Sequence, residues 1–142
     1  MEKVIDRAFL DALWCQAAES PRLRMNFDMR NSAEDTSQRM LNALQPGTVV
    51  PIHRHENTDE TVICLCGRLE EIIYEEVTEY ERVLASGVED VVKKSSFKEV
   101  SRLLLCPADG IYGMQIPAGM WHSINVIEPS VIFEAKDGAY IP

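Results

Sequence analysis

Gly47-Thr48-Val49-Val50-Pro51-Ile52-His53-Arg54-His55-Glu56-Asn57-Thr58-Asp59-Glu60-Thr61-Val62-Ile63-Cys64-Leu65-Cys66-Gly67 is the stretch on which the reading of this chain turns. Two apolar segments, 49–55 and 61–66, flank the polar turn Asn57-Thr58-Asp59, which is the pattern of two short strands. Residues two apart on a strand project to one face, so His53 and His55 are expected to aim their rings at one point. Glu60, after four intervening residues, opens the neighbouring strand beside them. One further histidine exists, His122, directly after the rigid turn Pro117-Ala118-Gly119. Neutral imidazoles suit first-row transition metals, and a carboxylate adds charge and hardness. Such a set leaves positions open on a five- or six-coordinate ion, as a catalytic or ligand-binding metal needs. A lone H-x-H pair falls on a strand by chance often enough to be weak. Here every histidine of the chain stands where a strand-built site wants it, which favours His53, His55, Glu60 and His122 as metal ligands.

Outward from that stretch, residues 5–19 read as a helix. Asp6 can cap it, Ile5 and Leu10 can staple across the cap, and Phe9, Leu13 and Ala17 form the apolar stripe. Ser20-Pro21 ends it, because a residue before proline avoids the helical region. Short strands are then expected at 24–29, 39–44, 49–55, 61–66, 69–76, 97–106, 112–116, 122–127 and 130–136, separated by Gly, Pro, Asn and Asp turns. Residues 77–96, charged and containing Gly87, fit either a helical turn or an irregular loop. Many closely spaced strands imply an all-β sandwich or barrel. We expect one domain, 1–142, with the helix within 1–20 and the barrel over 21–142.

Composition sets limits on partners. The 142 residues suffice for a buried core without disulfides. A net charge of -9 opposes nucleic acid and anionic membranes, which need Lys and Arg against phosphate. Residues 1–5 lack the basic start and apolar core of a signal peptide, and no apolar run reaches membrane-helix length. The cytoplasm is therefore the default location, with Cys15, Cys64, Cys66 and Cys106 as reduced thiols.

The spacing Gly47-(five residues)-His53-Arg54-His55-(four residues)-Glu60-(six residues)-Gly67 resembles the first cupin motif at each defining position. Pro117-Ala118-Gly119-Met120-Trp121-His122 resembles the core of the second. Two departures occur: Ile111 stands where that motif usually has glycine, and Asn125 comes one residue early. Both affect turns at the rim and leave the ligand positions intact. The runs 20–26, 38–44, 46–48, 116–122 and 133–140 are similar to the WbuC-type cupin metalloproteins. The resemblance implies a cupin-type double-stranded β-helix, a jelly-roll-like barrel. It implies one divalent metal (Fe, Mn, Ni, Zn, Co or Cu), a homodimer, and a setting in bacterial surface-polysaccharide metabolism.

Arg22, Arg24 and Arg39 stand out in an acidic chain. Arg22 and Arg24 share one face if that segment is a strand, and all three, Arg39 included, could line the barrel mouth and hold an anionic sugar derivative; otherwise they pair with the many carboxylates. Cys64 and Cys66 share the parity of Glu60, and Glu134 and Lys136 share one with each other. Glu70, Glu71, Glu75 and Glu76 read as a solvated strand and rim. Trp121 reads as packing at the turn. No side chain stands out as an independent general base. The expected function is a metal-dependent enzyme of isomerase, epimerase or oxygenase type on a small carbohydrate-derived substrate. The alternative is a non-catalytic sugar-binding or regulatory module. A metal-free epimerase on the same fold is a third reading, and it needs a histidine that is not a ligand.

Overall fold

The computed structural model describes residues 3–139. Met1, Glu2, Tyr140, Ile141 and Pro142, the extremities of the expected domain, lie outside the described residues, Tyr140 of the C-terminal resemblance among them.

The helix α1 spans Arg7–Glu19. The Asp6 carboxylate accepts from the Phe9 N–H at 2.9 Å, satisfying a donor that no helical carbonyl reaches. Leu10, Leu13 and Ala17 form the buried stripe, with Phe9 at its margin against Phe27 in an edge contact of 5.0 Å. Ile5, expected to staple over Leu10, is instead 45% exposed.

The strands are β1 (Arg24–Asp28), β2 (Ser37–Leu44), β3 (Glu60–Ala85), β4 (Val88–Leu105), β5 (Gly113–Ile116) and β6 (Trp121–Asp137). They pair in the order β1-β2-β6-β3-β4, with β5 on the first part of β3, and every pairing is antiparallel. One apolar cluster, including Leu44, Val62, Cys64, Leu69, Leu105, Ile116, Val126 and Ile132, fills the barrel. Another joins α1 to the outer face of the sheet through Leu41, Ala43 and Val131. The alternation along β2 follows from this: Leu41 and Ala43 turn to the helix, while Asn42 and Leu44 turn inward.

Four strand expectations change. Residues 49–55 form no strand, because Pro51 has no N–H to give a ladder. Only an isolated bridge, His53 with His122, ties this segment in. The expected strands 61–66 and 69–76 are one continuous β3, and 122–127 and 130–136 are one β6 through Pro129. Where the two cross, β3 is irregular between Cys64 and Leu69. There Gly67 has φ +99°, and the Arg68 N–H donates to Ser130 Oγ at 3.0 Å. The irregularity also undoes the expected parity: Cys64 stays in the barrel cluster while Cys66 packs with the helix.

Residues 77–96 are the fourth change. They form a two-stranded ribbon in which Val77 pairs with Ser96 and Ala85 with Val88. Ser86 (φ 55°) and Gly87 (φ 76°) make the two-residue turn, both positive, as a type I′ hairpin requires.

Candidate metal centre

The Glu60 side chain enters from the first residue of β3, and His122 from the second residue of β6. His53 is brought to them by two backbone hydrogen bonds: its N–H donates to the His122 carbonyl at 3.1 Å, and the return bond is 2.9 Å. The Gly119 N–H donates to the His55 carbonyl at 2.8 Å, tying the second histidine to the turn before β6. The convergence inferred from strand parity is thus achieved by a bridge and a turn.

One ligand atom from each of His53, His55, Glu60 and His122 lies within 4.8 Å of all the others. The ring centroids are 4.3 to 5.7 Å apart. His53 Nδ1 donates to the Pro51 carbonyl and His122 Nδ1 to the Met120 carbonyl, both at 2.9 Å. A carbonyl can only accept, so these bonds leave each Nε2 with a lone pair, the tautomer of a metal-ligating histidine. His55 differs: Lys136 Nζ donates to its Nδ1 at 3.0 Å. Ligation of a metal through Nε2, which lies 2.8 Å from Glu60 Oε2, therefore requires Lys136 to release Nδ1 so that this nitrogen can carry the ring proton. Glu60 Oε2 also lies 3.5 Å from His122 Nε2, is buried, and makes no aligned hydrogen bond. A buried carboxylate oxygen surrounded by imidazoles and committed to none suits a cation shared by all four. The residues present therefore fit a divalent metal.

The electrostatics agree. Burial works to raise the Glu60 pKa, but the imidazoles of His122 and His55 outweigh it and hold the carboxyl well below the ordinary range. Burial, with the neighbouring histidines, pushes His53 down. At His122 burial works downward too, and the Glu60 carboxylate reverses it.

A cavity of about 280 Å³ adjoins the cluster, with His53, Glu60 and His122 in its wall. Arg24 lines it as well, and burial lowers its pKa. Arg22 is not on the same strand face, because β1 begins at Arg24 and Leu23 before it has φ 56°. Arg39 lies on the helix side of β2, paired with Asp35 at 3.1 Å. Trp121 stacks with the Arg54 guanidinium, 4.4 Å from its centroid, and with Phe97 at 4.9 Å.

Glu71 is the residue that sequence reasoning missed. It is 1% exposed and lines the cavity, and its Oε2 has no hydrogen-bond partner. Burial, then the charges of Glu60 and Glu134, hold its pKa well above the usual range. Its parity with Leu69 and Ile73 was the available signal. Glu134 also lines the cavity, accepting from Asn42 Nδ2 at 3.3 Å, and burial with the Glu60 charge raises its pKa to about 7. Glu134 and Lys136 do share the inner face, but Lys136 reaches His55.

A carboxyl with a raised folded-state pKa keeps its proton after the unfolded chain has lost its own, so stability falls as pH rises from about 4.5 to 7. Relative to Glu134→Gln, the parent protein will lose up to about 3 kcal/mol across that interval. Urea titrations of both proteins in chelator, at each pH, check this.

A cupin-type barrel with a three-histidine, one-glutamate cluster at its interior wall is the class defined by this fold and site. The family model for a domain of unknown function (DUF6016) matches residues 5–84, and the chain belongs to that family. A search of curated proteins finds no match. Solved structures share the fold at low identity. TT1209 from Thermus thermophilus aligns at TM-score 0.59 and 19% identity over 96% of this chain and 98% of its own. Oxalate oxidase in complex with the substrate analogue glycolate aligns at 0.53 and 14%, over 87% of this chain. CapF with the inhibitor 3-isopropenyl-tropolone aligns at 0.51 and 16%, over 82% of this chain. This chain spans 55% of the oxalate oxidase chain and 28% of CapF. Among the described residues no helix is long and apolar enough to cross a membrane.

Proposed function

We propose that the protein is a metal-dependent enzyme acting on a small polar, carbohydrate-derived substrate, in the surface-polysaccharide setting that the WbuC-type resemblance implies. The observation that carries this reading is the convergence of His53, His55, Glu60 and His122 beside a cavity. A divalent ion of Fe, Mn, Ni, Zn, Co or Cu held there supplies a Lewis acid for substrate oxygens, or, with iron, dioxygen chemistry. The chain's own residues do the rest. The Nδ1 bonds of His53 and His122 fix the rings, Arg24 orients an anionic group, and Glu71 holds a proton at the cavity wall.

The test is substrate loss, followed by mass spectrometry, from a panel of sugar acids and nucleotide sugars with metal-loaded and chelator-stripped protein. Turnover confined to the metal-loaded protein is the expected result. Binding without turnover for every metal favours a sugar-binding module, and turnover that survives exhaustive chelation contradicts the reading.

A homodimer belongs to the same proposal, and the ribbon of β3 and β4 is its contact. An isolated two-stranded ribbon is marginal in water. This one exposes Tyr80, Leu84, Val88, Val91 and Val92. Antiparallel pairing of β4 with a second copy, centred between Val91 and Val92, sets Glu89 opposite the partner's Lys94 and Asp90 opposite the partner's Lys93. Sedimentation will give about twice the 16.1 kDa chain mass. Val91→Asp with Val92→Asp will give the single chain; a parent protein that stays monomeric to millimolar concentration contradicts the contact.

A further inference from the structure

Two groups in the cavity wall lack a matching partner in the protein, one of them fully buried and the other half-buried. The first is Glu71, whose Oε2 is buried and unbonded. The second is the Arg24 guanidinium. Its one side-chain hydrogen bond is a long one, 3.4 Å, to the Val49 carbonyl. Among the described residues no carboxylate pairs with it. A buried polar group left unsatisfied in the protein is commonly satisfied by a ligand. A guanidinium fork matches a carboxylate. A protonated carboxyl offers one O–H donor, which needs an oxygen acceptor.

We propose that the cavity takes a small organic acid of monosaccharide size or less, its carboxylate held by Arg24 and a second oxygen accepting a hydrogen bond from Glu71. This rests on the reading of the metal centre above and names the substrate class of that site. Size separates sugar acids from nucleotide sugars: about 280 Å³ lies just under the range of about 300–1,000 Å³ that holds drug-sized ligands. The more open hollow beside His53 and His55, about 570 Å³, is lined by neither Glu71 nor Arg24. A negative ligand is admissible here because burial holds the Glu71 carboxyl toward its protonated form and Arg24 brings a positive charge to the same wall.

The experiment is calorimetric titration of metal-loaded protein with glycolate and with glucuronate at pH 7, with glucose as the uncharged control. Metal content is measured on every sample. Either or both acids will bind at least tenfold more tightly than glucose. Arg24→Ala will weaken acid binding tenfold or more, by loss of a charge-assisted pair. Glu71→Gln, whose amide still donates, will bind within about threefold of the parent, while Glu71→Leu will weaken binding about tenfold or more. Tenfold tighter acid binding by Glu71→Gln overturns the proposal, because it means an anionic, repelling Glu71. Protein that holds metal yet binds neither acid also overturns it and leaves the metal centre standing. Protein that takes up no metal contradicts the centre itself and this inference with it.

Discussion

Gly67→Ala will destabilise the protein by about 4 kcal/mol, a large fraction of the about 5–15 kcal/mol by which native domains are stable. Two costs act together. At φ +99° an L side chain is strained, which costs about 1–3 kcal/mol. A Cβ at this position also runs into the Pro129 carbonyl and the Ser130 backbone and side chain, where β3 crosses β6. Backbone cannot step aside as a flexible side chain can, so overpacking adds about 1–3 kcal/mol more. Gly138 is the internal control. Its φ is +98°, yet an added Cβ there meets nothing within 4 Å. Gly138→Ala should therefore show the dihedral cost alone. Urea titrations of the two variants separate the terms, and equal losses would mean that the crossing tolerates a methyl group.

His122→Ala will weaken metal binding by more than about 100-fold, beyond the 10–100-fold that changes around a ligand set produce. His122 is 3% exposed, so no nearby water replaces the lost imidazole without also filling the space it leaves. The bridge to His53 is made by main-chain atoms and survives the substitution, so the variant keeps its fold. Metal affinity measured by competition with a chromophoric chelator reads the loss. Circular dichroism confirms that the barrel persists. Unchanged affinity would remove His122 from the ligand set.

The helix, the barrel class and the four clustered residues were legible in the sequence because each has a local cause. Asp6 caps, Ser20-Pro21 terminates, and alternating apolar residues write out strands. The H-x-H spacing pointed to two rings that do converge, but not because they share a strand. Pro51 denies the segment a ladder, and the two rings are placed by long-range bonds from His122 and Gly119 that no window of sequence contains. Gly67 was read as a break because glycine usually punctuates strands. Here it permits a close crossing, a property of residues more than sixty positions away. Glu71 was hidden among charged neighbours, and only the pairing of β3 with β4 and β6 buries it. Arg39 was misjudged for the complementary reason: which face of β2 meets the helix depends on where α1 docks. The ribbon over 77–96 had its signal in Ser86-Gly87, a two-residue turn between β-branched segments, masked by the surrounding charge.

The central claim is that one divalent ion sits among His53, His55, Glu60 and His122, and elemental mass spectrometry of tag-free protein purified without chelator tests it most directly. The account predicts close to one equivalent of a single transition metal in the parent and none retained in His53→Ala or His122→Ala. Parent protein that carries no metal, even after incubation with each of several divalent ions, would contradict it, and the three histidines would then need an acid–base or structural role.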